Sequence, residues 1–137
     1  MSDAARLAGL PVENDWEFKI WFLDDEAMAQ AHVDILDVPG TTDVITMAYL
    51  EEPEAMFPGD IGLELLVCVP FAEREGAERE DSSFADEMML YIVHGCLHAA
   101  GENDLQEADR QSMRRREAEV LQELRKNYVF SDIFPGA

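Results

Sequence analysis

Basic residues are scarce in this sequence of 137 residues, which has 10 lysines and arginines against 30 aspartates and glutamates. The net charge of −20 opposes general binding to nucleic acids, because such binders use lysine and arginine to displace counterions from phosphates. No basic residue lies between Lys19 and Arg74, and six of the ten lie between positions 110 and 126. Contact with RNA would therefore depend on that late segment, and DNA is not expected as a partner.

Cysteines and long apolar runs are scarce as well. Cys68 and Cys96 are the two cysteines, which are too few for a disulfide framework. The first residues lack the apolar stretch of a signal peptide, and no apolar run approaches the ~20 residues that span a bilayer. We therefore expect a single, reduced, cytoplasmic domain over residues 1–137 with no membrane partner.

The apolar residues that are present follow strand patterns early in the chain and helix patterns late. Alternating and β-branched runs predict strands at 16–23, 43–50 and 61–69, and the last run is apolar enough for a central strand buried on both faces. Helical spacing predicts four helices. The first spans 26–36 after an Asp24 or Asp25 cap, and the second spans 71–80 with an interruption at Gly76. The third begins after a cap at Asp81, Ser82 or Ser83 and ends at Gly101, and the fourth spans 105–127. This order predicts an α+β fold in which a small mixed β-sheet packs against helices.

Three segments lie outside these predicted elements. Residues 1–14 are expected to form a loose lead, residues 51–60 an acidic loop, and residues 128–137 a tail that packs back on the body. Asp104 and Glu107 have the spacing of a capping box for the last helix.

His94 and His98 stand four residues apart in the predicted helix that ends at Gly101. Residues at this spacing lie on one helical face, with Cβ atoms about 5–6 Å apart. Two imidazoles placed so can bind one divalent metal ion, and zinc enzymes reuse this spacing. Without a metal, the pair would be two polar neighbours on a partly exposed face.

A catalytic metal site needs at least a third protein ligand and keeps one position open for water. Glu102 and Asp104 are the first carboxylates after the turn, although Asp104 is also the expected cap of the last helix. Cys96 falls on the opposite side of the helix and is expected in the core. We therefore predict a metal site on the late helix and the turn after it, with His94, His98 and either Glu102 or Asp104 as ligands. Water in the open position would be the nucleophile, and Glu102 is the candidate general base.

Gly95 occupies the position at which the common zinc-protease motif has its glutamate, which argues against that class of peptidase. A glycine inside a helix costs about 1 kcal/mol relative to alanine. Its presence indicates either close backbone packing or room for substrate beside the metal.

The segment from His94 to Asp104 (HGCLHAAGEND) resembles the signature of the YbeY family, with Gly95, Leu97 and Gly101 at matching positions. Residues 42–46 (TDVIT) and 59–61 (GDI) are similar to two strand segments of that family, and residues 107–121 suit its final helix. The family usually has an arginine shortly before the first of these strands, whereas residues 32–39 contain none.

This resemblance implies a metal-dependent, single-strand-specific endoribonuclease that acts in rRNA maturation, including the 16S rRNA 3′ end, and in ribosome quality control. It also implies a small mixed sheet and one zinc bound by three histidines, the third of which is replaced here by Asp104. Two histidines and one carboxylate suit zinc, and they also suit iron or manganese.

Other functions remain open at this point. A ribosome-assembly binding protein that keeps the metal site but has little or no nuclease activity would account for the missing arginine, and an acidic surface suits basic ribosomal proteins. A hydrolase with another substrate, such as a peptide, and a purely structural metal are further alternatives. The expected partners are ribosomal RNA or ribosomal proteins.

Arg114, Arg115 and Arg116 form the candidate RNA-binding cluster. The alternative interpretation is that these arginines lie on a solvated helix face and form ion pairs with Glu117 and Glu119.

Overall fold

The structure, a computed structural model, describes residues 2–11, 16–50, 57 and 59–135. In chain order the elements are α1 (Ser2–Leu7), β1 (Glu17–Leu23), α2 (Asp25–Leu36), β2 (Val44–Ala48), β3 (Ile61–Cys68), α3 (Val69–Glu78), α4 (Phe84–Ala99), α5 (Glu107–Arg125) and α6 (Phe130–Ile133). The described strands form one sheet in the order β1–β3–β2, with β1 parallel and β2 antiparallel to β3. The prediction of an α+β fold with a small mixed sheet is confirmed.

The central strand β3 is buried on both faces, as its apolar sequence predicts. Leu63, Leu65 and Val67 face the main core, whereas Leu66 and Cys68 belong to a smaller cluster on the side of α2. Burying a leucine or valine side chain contributes about 1.5–3 kcal/mol, so this strand anchors both clusters.

Helix α4 is the central helix of the fold. Ser83 caps it, since its hydroxyl oxygen accepts a hydrogen bond from the Asp86 backbone N–H at 3.2 Å. Asp86 and Glu87 in the first turn also complement the helix dipole. Ten of the sixteen residues of α4 are buried, so only a narrow face remains for chemistry.

Most of the other predicted boundaries are close to the observed ones. The Asp24 side chain caps α2 by accepting from the Ala27 N–H at 2.8 Å, and the tail folds back so that Phe130 is buried. The acidic loop predicted at 51–60 lies mostly outside the described residues. No helix in the described ranges is long and apolar enough to cross a membrane.

The expectation of a loose lead over residues 1–14 is wrong for its described part. Residues 2–7 form α1, and Ala4, Ala5, Ala8 and Leu10 are buried in the main core. Alanines give a weak hydrophobic pattern, and a helix of six residues is not stable alone. Packing against α4 and α5 therefore stabilises this segment, which local sequence could not indicate.

The predicted interruption of the third helix at Gly76 is also wrong, because α3 continues through this residue to Glu78. A Cβ atom at Gly76 would lie 2.5 Å from the Phe84 backbone nitrogen and 2.6 Å from the Ser83 carbonyl carbon. The glycine therefore allows α3 to contact the backbone at the start of α4.

The predicted capping box of Asp104 and Glu107 is not formed. Helix α5 begins at Glu107, its N-cap residue is Gln106, and no side chain makes a capping hydrogen bond there. The Asp104 carboxylate is therefore available for another role.

Substitution of Gly76 by alanine should lower the free energy of unfolding by about 1–3 kcal/mol, because the added methyl group meets backbone that cannot rotate away. Chemical denaturation would measure the change. The exposed neighbour Ala77 is the control, since Ala77→Gly should cost only the helix-propensity difference of about 1 kcal/mol. A Gly76→Ala variant as stable as the wild type would contradict this contact.

Candidate metal centre

His94 and His98 lie on the exposed side of the last turns of α4, with 22% and 30% of their side chains exposed. Their Nε2 atoms face each other at 2.9 Å. The imidazole planes are nearly perpendicular, at 82°. The helical spacing therefore brings both rings to one point, as the sequence predicts.

Asp104 approaches the same point from the turn after α4. Gly101 has a φ of 104°, in the left-handed region that favours glycine, and this reverses the chain. The Asp104 Oδ2 atom then lies 3.9 Å from the His94 Nε2 and 3.7 Å from the His98 Nε2. One ligand atom from each of the three residues lies within 4.8 Å of the others.

Hydrogen bonds on the far side of each ring decide which nitrogen faces this point. The His94 Nδ1 lies 3.0 Å from the Glu117 Oε2, and the His98 Nδ1 lies 3.0 Å from the Glu102 carbonyl oxygen. Both partners only accept, so in the neutral rings each Nδ1 carries the proton and donates it. Each Nε2 then presents a lone pair to the other, an arrangement that a cation between them would stabilise.

The three side chains fit a divalent metal ion. Zinc binds nitrogen and carboxylate oxygen at about 2.0–2.2 Å, so ligand atoms at a tetrahedral ion lie about 3.4 Å apart. The observed separations of 2.9, 3.7 and 3.9 Å bracket this value. Small side-chain rotations would suffice to hold the ion and leave a fourth position open.

The surroundings of His94 also favour a positive charge at this point. Burial disfavours the charged imidazole, but the hydrogen bond and charge of Glu117, helped by Asp43 and Asp104, raise the pKa of His94 above its ordinary value. The same carboxylates would stabilise a metal cation.

Gly95 brings α4 close to the sheet beneath this centre. A Cβ atom there would lie 2.5 Å from the Leu65 Cδ2 and 3.1 Å from the Thr46 Oγ1. Of the two interpretations of this glycine, close packing is therefore the one that the geometry supports.

A groove runs beside the histidines, between α4 and β2. Its volume is about 340 Å³. Its walls are uncharged apart from the histidines, and they consist of Leu36, Val44, Ile45, Thr46, Ala48, His94, His98 and Ala99.

Cys96 is fully buried on the core side of α4, as expected. Burial raises the pKa of its thiol to about 12, and the side chain is not in the group of candidate ligands. Glu102 contributes its backbone carbonyl to the centre, whereas its side chain is not in the group of candidate ligands.

The predicted arginine cluster is divided by the structure. Arg116 pairs with Glu119 at 2.9 Å and donates to the Leu7 carbonyl oxygen, which agrees with an ion-paired face. Arg114 and Arg115 are exposed and form no ion pair within the described ranges.

Glu117 was expected to support the arginines, and this is wrong because it contacts His94 instead. Glu117 and His94 are 23 residues apart in sequence and lie on different helices. The sequence signal was therefore limited to an acidic residue on α5, one turn before the apolar Leu121.

Fold and site together define a class of small α+β proteins that carry a candidate metal centre of two histidines and one carboxylate on a central helix. The sequence profile of the endoribonuclease YbeY family matches residues 4–125. The chain belongs to this family.

Individual relatives agree with this assignment. Endoribonuclease YbeY of Micrococcus luteus is 34% identical over 110 residues, which cover 77% of this chain and 69% of that protein. The Corynebacterium efficiens protein of the same name is 30% identical, with 84% and 60% covered, and that of Chlamydia abortus is 34% identical, with 80% and 70% covered. The matched part thus spans 60 to 70% of the length of these relatives.

The fold is similar to that in the solution structure of TM1509 from Thermotoga maritima, with a TM-score of 0.52 and 18% sequence identity. This match covers 99% of the chain and 87% of the other protein. It supports the fold alone.

Proposed function

We propose that this protein is a metal-dependent endoribonuclease that cleaves single-stranded RNA in rRNA maturation, at the 16S rRNA 3′ end, and in ribosome quality control. The observation that carries the proposal is the convergence of the His94 Nε2, the His98 Nε2 and the Asp104 carboxylate in a motif of this family.

His94, His98 and Asp104 would hold one divalent ion, with zinc as the first choice and iron or manganese compatible with the same ligands. When bound, the ion would supply Lewis acidity toward a phosphoryl oxygen and lower the pKa of water that attacks the phosphorus. Asp104 makes this centre less positive than three neutral histidines would, so we expect slower cleavage than a three-histidine centre would give.

The groove between α4 and β2 would hold the RNA strand. Its walls suit bases and sugars better than phosphates, since they carry no lysine or arginine. Glu102 stays the candidate general base, because His98 engages only its backbone carbonyl.

Arg114 is the better placed of the two exposed arginines for a phosphate contact. It precedes Glu117 by three residues, and residues at this spacing are neighbours on a helix surface. Arg115 points to a different side of α5, because successive residues are rotated by about 100°.

Elemental analysis of the purified protein should find about one equivalent of metal, the occupancy expected of one site with three protein ligands. His98→Ala and Asp104→Ala should lose most of it, because each removes one of three ligands. Asp104→His should retain it and favour zinc over manganese. Asp81→Ala is the matched control, because it removes an exposed carboxylate just before the N-terminus of α4, at the end opposite the histidines. This variant should keep full occupancy. Full occupancy in Asp104→Ala would exclude Asp104 as a ligand.

The metal-loaded protein should cleave single-stranded rRNA fragments that carry the 16S 3′ end, and a duplex of the same sequence should resist. His94→Ala should abolish cleavage, and a chelator should do so reversibly. Cleavage that persists in His94→Ala would identify a contaminating nuclease and contradict the proposal.

Arg114→Ala should weaken binding of single-stranded RNA and reduce the slope of log affinity against log salt by about one, as expected for one lost phosphate contact. Fluorescence anisotropy at several salt concentrations would measure this. Arg115→Ala removes the same charge from another side of α5 and should change the slope less. Equal effects of both variants would indicate a general charge effect rather than a contact.

A ribosome-assembly binding protein with little or no nuclease activity is the second candidate function. Seven of the ten basic side chains already lie in ion pairs, so the surface is strongly acidic. Such a surface suits basic ribosomal proteins. Robust metal-dependent cleavage in the experiment above would count against this candidate.

A further inference from the structure

Glu117 on α5 makes a single direct contact with the candidate metal centre. Its Oε2 atom lies 3.0 Å from the His94 Nδ1, on the side of the ring opposite the proposed ion. Only 13% of the Glu117 side chain is exposed. This contact ties the last long helix to the central one at the functional histidine.

The burial of Glu117 needs compensation, because removing a carboxylate from water is costly unless it is paired and hydrogen-bonded. Within the described parts of the chain, no lysine or arginine forms an ion pair with it, and its carboxylate contacts the His94 imidazole. The imidazole N–H supplies part of this compensation, and positive charge beyond the ring would add to it.

His94 has two ways to place its proton when it is neutral. With the proton on Nδ1, it donates to Glu117 and directs the Nε2 lone pair at the ligand point. With the proton on Nε2, it would donate to the His98 Nε2 at 2.9 Å, and this hydrogen bond would close the centre to a metal. Because a carboxylate accepts and cannot donate, Glu117 selects the first form.

We propose that Glu117 is a positioning residue for the metal centre, which it keeps ready for a divalent cation by holding His94 in the Nδ1–H tautomer. This inference rests on the proposed metal site and adds a residue to it. A carboxylate behind a ligating histidine fixes the ring, sets its tautomer and makes it a stronger ligand. Glu117 does not touch substrate or metal, so its effect passes entirely through His94.

Metal affinity is the first measurement. Zinc and, separately, manganese would be titrated into metal-free protein with a competing chelator, for wild type, Glu117→Gln and Glu117→Ala. We expect Glu117→Ala to bind either metal about 10–100-fold more weakly, the usual cost of losing such a partner. Glu117→Gln, whose amide oxygen can still accept from Nδ1, should lose less affinity.

Glu119→Ala is the matched control, because it removes the same charge from the same helix but pairs with Arg116 outside the centre. It should leave metal affinity unchanged. Thermal unfolding of all variants would show whether each remains folded at the temperature of the titration.

The tautomer is the second measurement, and a merely structural role would not change it. Nitrogen NMR of metal-free protein, with both imidazoles neutral, should show His94 protonated at Nδ1 in the wild type and in Glu117→Gln. In Glu117→Ala the proton should move to Nε2. Affinity losses of equal size in the Gln and Ala variants, with an unchanged tautomer in both, would show that Glu117 acts only through its charge. This result would overturn the proposal.

The experiments distinguish failure of the proposed metal site from failure of the proposed positioning role of Glu117. A wild-type protein that binds no metal would contradict the metal site, while the tautomer would still test the role of Glu117. A wild type that binds metal tightly, with no loss in Glu117→Ala, would overturn the positioning role and leave the metal site intact.

Discussion

The close approach of α4 to the central strand β3 is the contact on which the rest of the structure depends. Gly95 allows it, since a Cβ atom there would overlap the Leu65 side chain and press tightly against the Thr46 hydroxyl. Leu65 is fully buried in the main core, while His94 and His98 on the same helix line the groove. One helix therefore supplies the centre of the core and both histidines.

Two neighbouring elements complete the centre that α4 begins. The turn at Gly101 brings the Glu102 carbonyl behind His98 and the Asp104 carboxylate in front of both rings. Helix α5 brings Glu117 behind His94. The candidate ligand atoms thus come from one short stretch of chain, but the hydrogen bond to the His94 Nδ1 depends on docking of a second helix. Under the proposed role of Glu117, docking of α5 against α4 would therefore influence the affinity of the site for metal.

The ion pairs of this acidic protein determine how many basic groups remain available to bind phosphate. Most basic side chains are used within the molecule, and many of their partners are three or four residues away on the same helix. Exposed pairs of this kind contribute little to stability. Their larger effect is to leave few basic groups for phosphate, so a positively charged metal centre and Arg114 would have to attract RNA against the field of the remaining protein.

The sequence by itself determined the features that depend on local spacing. The four-residue spacing of His94 and His98 and the nearly all-apolar run of β3 act over one turn or along one strand, so their outcome could be predicted. The starts of α2 and α4 could be predicted to within the few residues that offer a cap, and the structure selects Asp24 and Ser83. Tertiary structure decided the rest. The burial of α1, the continuation of α3 through Gly76, and the release of Asp104 from its expected cap follow from contacts between elements. The pairing of Glu117 with His94 is the clearest case, because an acidic residue on a helix gives no local indication of which distant ring it will contact.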